Sequence, residues 1–209
     1  MRTYASASSS TASYSQILDA ATPGEVDKPT RVTAGVYRDI LTSLWLLDPV
    51  AAWTPTGNIM TRFGVSPKHH LADLDLAARL LGLDIDSLLD GQGHPLRTPE
   101  GGMIGPLFES LTTLCVRVAA QAAEATVGHI RTRNGDHEVD LVVIRPDGRV
   151  VAIEVKLASA VDRRDGKHLQ WLRTLMGNRI ADAIIINTGP DAYRRDDGIG
   201  VVPLALLGP

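Results

Sequence analysis

Cysteine is all but missing from this chain: Cys115 is the only one among 209 residues. A disulfide framework and a thiolate zinc site are thereby excluded, and a reducing, cytoplasmic setting is expected. Aromatic residues amount to 4%, so Leu, Val, Ile and Ala must fill the interior. No apolar run approaches the roughly 18 residues of a membrane span. Residues 1–16 lack the apolar stretch of a secretory signal, so no membrane partner is expected. There is no large charge excess either. With 21 basic against 24 acidic residues the net charge is −3, which rules out a polybasic coat and leaves room only for a local basic groove. No internal repeat is visible. What remains is ordinary: 44% hydrophobic and 22% charged, the composition of a globular chain long enough for one large domain or two small ones.

The chain divides near residue 100. Residues 90–102 (DGQGHPLRTPEGG) are rich in Gly and Pro and have no periodicity, as a linker would. They separate an N-terminal part, residues 1–100, from a C-terminal part, residues 101–209. The first reads as helical. A short helix covers 15–21. A longer one over 33–47 starts at Thr33, carries Val36, Ile40, Leu44 and Leu47 at helical spacing, and stops at Asp48-Pro49. Residues 68–82 read as a short strand followed by a helix closed by Gly82. This pattern is winged-helix-like; a plain helical packing module is the alternative. After the linker come a helix (104–123), an extended stretch (127–133), two Val- and Ile-rich strands (137–145 and 149–157), a helix (165–177) and strands at 183–188 and 200–204. That order is α/β. Trp45, Trp53 and Trp171 are expected as core or interface anchors. Leu169, Trp171, Leu172 and Leu175 are expected on the helix face that meets the sheet.

The chemistry lies in the hairpin. Arg145-Pro146-Asp147-Gly148-Arg149 suits a three-residue loop made of a type I turn and a bulge. Paired residue numbers then sum to 294, which sets Asp140 opposite Glu154 and Glu138 opposite Lys156. Opposite Cβ atoms lie about 4.5–5.5 Å apart, and side chains alternate faces, so residues 138, 140, 154 and 156 share one face. The rest of both faces is apolar. Charged groups set against an apolar core are costly unless paired or metal-bound. Two adjacent carboxylates repel, and a hard divalent cation such as Mg²⁺ relieves that repulsion. The turn at Arg133-Asn134-Gly135-Asp136 predicts a second hairpin with pairs summing to 269, which sets His129 opposite Asp140 and Arg131 opposite Glu138. Spacing alone leaves a second reading open: cross-strand ion pairs worth about 0.2–1 kcal/mol each. His69 and His70 alternate faces on a strand and cannot share a metal. Cys115 reads as packing.

Asp140 followed by Glu154-Val155-Lys156 after a hairpin resembles the PD-(D/E)XK nuclease superfamily. In more detail, GPLFES, HIRTRNGDHEVDLV, VVAIEVKLA and DGKHLQWLRTLMG resemble the C-terminal domain that follows the ATPase module in a large group of uncharacterised prokaryotic AAA-like ATPases. The likeness extends back through VYRDILTSLWLLDPVAAW and PKHHLADLDLAARLLG. It implies a winged-helix-like part followed by a restriction-endonuclease-like mixed sheet flanked by helices. It further implies a metal-dependent nuclease in which Asp140, Glu154 and the Val155 carbonyl hold Mg²⁺ or Mn²⁺. Glu109 would complete the acidic pocket, and Lys156 would orient water and steady phosphate charge. His129, Arg131, Arg133 and Lys167 would contact nucleic acid, expected to be DNA; His168 is a weaker candidate. Such ATPases carry a P-loop, and no G-x-x-x-x-G-K-[ST] occurs here. ATP hydrolysis is therefore not expected. A split or truncated form that acts with a separate ATPase chain, or a non-catalytic module binding DNA or that partner, is the competing reading.

Overall fold

The computed structural model describes residues 1–24, 28–55, 65–89, 102–132 and 135–208. The chain forms two compact units: Met1–Val50 with Ser66–Ser110, and Ala51–Val65 with Leu111–Pro209. The junction expected at residues 100 and 101 lies outside the described residues.

The first unit is helical. It contains α1 (Arg2–Ser6), α2 (Tyr14–Ala21), α3 (Arg31–Ser43), α4 (Leu74–Leu81) and α5 (Ile85–Leu89). Helix α2 begins with a reciprocal cap. The Ser13 hydroxyl accepts from the Gln16 N–H, and the Gln16 side chain accepts from the Ser13 N–H. Helix α3 departs from expectation at both ends. Its cap is Thr30 rather than Thr33, and it stops at Ser43 rather than Leu47. Trp45 adopts a left-handed backbone with φ 57°, and the N–H groups of Leu46 and Leu47 both return to the Leu41 carbonyl. That turn swings the Trp45 indole outward, 76% exposed, so it anchors no core. Leu47 goes inward instead and joins Tyr4, Ala5, Leu71, Ala77, Leu81 and Leu83. His69 and His70 are both buried, each in its own network. The His69 ring meets the Tyr4 hydroxyl at 3.1 Å and the Ala12 carbonyl at 2.7 Å, while His70 Nδ1 meets Ser110 Oγ at 2.8 Å. Burial lowers the His69 pKa, as suits an uncharged structural imidazole.

The second unit is built on a six-stranded mixed sheet ordered β1-β2-β3-β4-β6-β5. The strands are β1 (Thr126–Arg131), β2 (Glu138–Ile144), β3 (Val150–Val155), β4 (Ile180–Asn187), β5 (Tyr193–Arg194) and β6 (Gly200–Pro203). Strands β1, β2 and β3 form an antiparallel meander; β3, β4 and β6 run parallel; β5 is antiparallel to β6. A parallel neighbour demands a crossover, and between β3 and β4 it consists of a 3₁₀ turn (Arg163–Gly166) and helix α7 (Lys167–Met176). The meander follows helix α6 (Ile104–Ala122), within which the boundary between the units falls. Cys115 is a half-buried free thiol on α6.

The β2–β3 turn has the expected form. Gly148 takes φ 80° and donates to the Arg145 carbonyl at 2.9 Å, and Arg145 donates to the Arg149 carbonyl at 3.0 Å. The pairs Leu141↔Ile153 to Ile144↔Val150 follow the predicted register. Helix α7 lays Leu169, Leu172 and Met176 into the core beside Val142, Val150, Ala152, Ala183 and Ile185. Trp53 and Trp171 pack on its margin. Leu175 is exposed, contrary to expectation; at 3.6 residues per turn it sits about a quarter turn from the buried stripe.

The β1–β2 register follows the predicted sum only at Arg131↔Glu138 and Ile130↔Val139. Between Gly128 and Ile130 the pairing shifts by one. His129 sits at that irregularity because its backbone turns to residues 51–53. Its N–H donates to the Ala51 carbonyl at 3.1 Å, and its carbonyl accepts from the Trp53 N–H at 2.7 Å. The regular pair of His129 with Asp140 is therefore not formed. The close approach needs glycine at 128, where a Cβ would lie 2.8 Å from Trp53 Cβ and 3.2 Å from the Ala51 carbonyl oxygen. Gly128→Ala is expected to cost about 1–3 kcal/mol, a drop of about 2–4 °C per kcal/mol for a chain of this size. A melting curve unchanged from the parent would refute that packing. No described helix is long and apolar enough to cross a membrane.

Candidate metal centre

The face of the sheet that α7 covers also carries the acids. Beyond Leu141 and Ile153 the β2–β3 ladder gives way to a side chain: Asp140 Oδ2 accepts from the Val155 N–H at 2.9 Å. This ties Asp140 to the strand bearing Glu154. Glu154 is 3% exposed. Its Oε2 accepts from Lys156 Nζ at 3.3 Å, while its Oε1 is buried and meets no donor among the described residues. Burial pushes the Glu154 carboxyl well above the usual carboxylate range, and the Asp140 charge pushes it further; Lys156 opposes both. Burial disfavours the Lys156 ammonium in turn, but attraction from Glu154 and Asp140 outweighs it, so its pKa rises. Lys156 therefore stays charged, and its ammonium donates to Glu154.

Some of the predicted positions come together within one unit. Asp140, Glu154, Val155 and Lys156 meet in the second unit. Lys156 lies against Glu154 and not, as strand register implied, against Glu138; Glu138 binds Arg131 at 3.1 Å. Glu109 belongs to the first unit, where its Oε1 accepts from Lys68 Nζ at 2.6 Å. Lys68 is 1% exposed, so the two form a buried ion pair. His129 is fully buried and offers no imidazole edge to solvent. Arg131 and Lys167 are exposed. Arg133 lies outside the described residues.

Two groups emerge that sequence reasoning ranked low or missed. His168, on the first turn of α7, has its pKa lowered by burial and by Lys167, His137 and Lys156, while Asp140 acts against them. Those influences put it within electrostatic reach of Asp140 and Lys156. His137 lies flat on Trp171, with ring centroids 4.2 Å apart and planes at 5°, and meets His168 edge-on at 5.7 Å. The second group is Asn187, the last residue of β4, buried with its Oδ1 unpartnered. The visible signal was a polar residue closing the apolar run Ala183-Ile184-Ile185-Ile186.

The donors suit a hard cation. Two carboxylates, one with a buried unfilled oxygen, and a neighbouring backbone carbonyl are the oxygen set that Mg²⁺ or Mn²⁺ accepts, with water completing the shell. Among the described residues no group of three or more His, Cys, Asp or Glu side chains is placed to hold a metal ion.

No curated protein matches this chain. Among solved structures it is similar to a Thermococcus gammatolerans assembly of McrB AAA+ hexamers with bound McrC. The likeness has 11% identity and a TM-score of 0.37, covers 97% of this chain and 68% of that one, and is too weak to bear on fold or function. The part of the chain that holds α6, the whole sheet and α7, residues 104–207, matches a family model described as a domain of unknown function (DUF4143).

Proposed function

We propose that the second unit is a metal-dependent phosphodiester hydrolase of the PD-(D/E)XK nuclease kind, acting on DNA, with the first unit as a winged-helix-like placement module. The observation that carries this reading is the buried, unfilled Glu154 oxygen beside Asp140, with a charged lysine half-buried at its edge. A buried carboxylate whose pKa is raised by a second carboxylate is a poor structural element; it makes sense as a cation site. The order of helix, antiparallel meander, crossover helix and parallel strand supports the same reading.

A bound Mg²⁺ or Mn²⁺ would polarise the phosphoryl oxygen and lower the pKa of bound water. The protein's own groups do the rest. Asp140 and Glu154, with the Val155 carbonyl, hold the cation. Lys156, kept protonated, donates to the attacking water or to a phosphate oxygen and stabilises charge there. Arg131 and the exposed Lys167 supply backbone phosphate contacts, which makes binding weaken as salt rises.

The test is incubation of plasmid and linear DNA with Mg²⁺ or Mn²⁺, beside Glu154→Ala and Lys156→Ala. The parent is expected to cut and chelation to stop it, with Lys156→Ala slower by about 10²–10³. Metal-dependent cleavage no greater than that of Glu154→Ala overturns the proposal. Salt-sensitive DNA binding without cleavage would establish the non-catalytic module instead.

A further inference from the structure

We infer that Asn187 is a positioning residue of the same centre: its side-chain oxygen faces the acids as a neutral third acceptor that helps hold the cation or its water. The inference rests on the proposed metal site. It begins with register. Glu154 pairs with Ile185 and Val155 with Ile186 in the parallel β3–β4 ladder. The Lys156 N–H continues that ladder by donating to the Ile186 carbonyl at 2.9 Å. Asn187 thus stands beside Lys156, and Ile185 beside Glu154. Neighbours in register share a face, and alternate residues return to it, so Asn187 lies on the face that carries Glu154 and Lys156.

The orientation of its amide is fixed by what it touches. Nδ2 donates to the Ser159 carbonyl at 3.0 Å, and only the NH₂ end of an amide can donate. Oδ1 is therefore turned away from that loop. Thr188 Oγ1 donates to the Leu157 carbonyl at 2.7 Å. Together with the Lys156 N–H bond, these contacts fasten the chain that follows Glu-Val-Lys to the end of β4. Asn187 is 1% exposed, and among the described residues its Oδ1 has no partner. Glu154 Oε1, buried on the same face, is also without a donor. With Glu154 ionised, as a cation site requires, both oxygens are acceptors and cannot satisfy one another. Each needs a donor or a cation, and buried polar atoms left over in this way mark an ion or an ordered water. An amide oxygen also has an advantage over a third carboxylate here, since it adds a hard donor without adding charge to a pair that already repels.

The experiment is a calorimetric Mn²⁺ titration of the full chain and of Asn187→Leu and Asn187→Asp, with a melting curve for each. Leucine removes the acceptor; aspartate keeps an oxygen there and adds charge, which tightens a cation site. The expected result is an affinity about 10–100-fold weaker for Asn187→Leu and equal to or tighter than the parent for Asn187→Asp. A purely structural clip on Ser159 predicts lower melting temperatures with unchanged affinity in both variants, and that result overturns the inference. If Asn187→Leu fails to fold, Asn187→Asp decides alone: weaker binding than the parent refutes the role. If the parent takes up no Mn²⁺, the metal centre itself is refuted and the inference falls with it. If the parent binds and Asn187→Leu binds equally, only the inference falls.

Discussion

Glu154→Gln is expected to make the metal-free protein melt at a higher temperature at pH 7, and to abolish the further rise that Mn²⁺ gives the parent. The sign follows from proton linkage. In the unfolded chain a glutamate titrates near 4.3; in the fold, burial and the Asp140 charge hold Glu154 well above the usual carboxylate range. The folded state therefore binds more protons than the unfolded one between those values. Stability from this group is fully present below about pH 4 and is lost as pH rises through the folded value. Glutamine is neutral throughout. Its advantage over the parent should be absent below about pH 4 and complete above the folded pKa of Glu154. Loss of the 3.3 Å contact with Lys156 is already weighed in that balance, because the shift is upward despite it. With Mn²⁺ at about a hundred times its dissociation constant the parent gains about 2.7 kcal/mol, or about 2–4 °C per kcal/mol, and the variant gains nothing. A variant that melts lower than the parent at pH 7 without metal would show that Glu154 is a stabilising ion-pair partner and not a strained ligand.

That site was legible because its geometry depends on a local signal. The loop at Pro146–Gly148 fixes the β2–β3 register, which carries Asp140 just past the end of the ladder, where its carboxylate takes the Val155 N–H next to Glu154. Where geometry depended on distant chain, sequence reading failed. His129 is displaced by residues 51–53, some 75 positions away, and no pattern around His129 announces that partner. Lys156 turns to the acid two residues before it because the ladder has already ended, at the point where the Asp140 carboxylate takes the Val155 N–H. The end of α3 was misplaced for a different reason: a tryptophan in the left-handed region is a rare choice, so the periodicity appeared to run on to Leu47. Strand β5, two residues long, and helices α1 and α5, of five residues each, are too short to show a period. Asn187 falls inside the strand expected at 183–188, but nothing in that run set it apart as a site residue. Only the strand pairing shows it to be a buried neighbour of Lys156.

Glu109→Gln is expected to be among the most damaging single changes in the first unit, costing about 3–5 kcal/mol, because it removes a counter-charge 2.6 Å from a buried ammonium. The carboxylate lies 2.6 Å from Lys68 Nζ, and Lys68 is almost wholly inaccessible. Lys68→Met should cost less, since Glu109 retains some access to water with its side chain 17% exposed. The double variant Lys68→Met/Glu109→Gln should recover most of the loss, because replacing both members of a buried pair by groups of similar size is often neutral. Thermal melting of the three variants gives the coupling energy directly. The double variant also separates stability from chemistry. It is expected to take up Mn²⁺ with the parent's affinity, since the oxygen that meets Lys68 is already engaged. A tenfold loss of affinity in a well-folded double variant would instead assign Glu109 to the cation, as its resemblance to the nuclease acid implies. A Glu109→Gln variant as stable as the parent would remove the ion pair from the account of how the first unit is held.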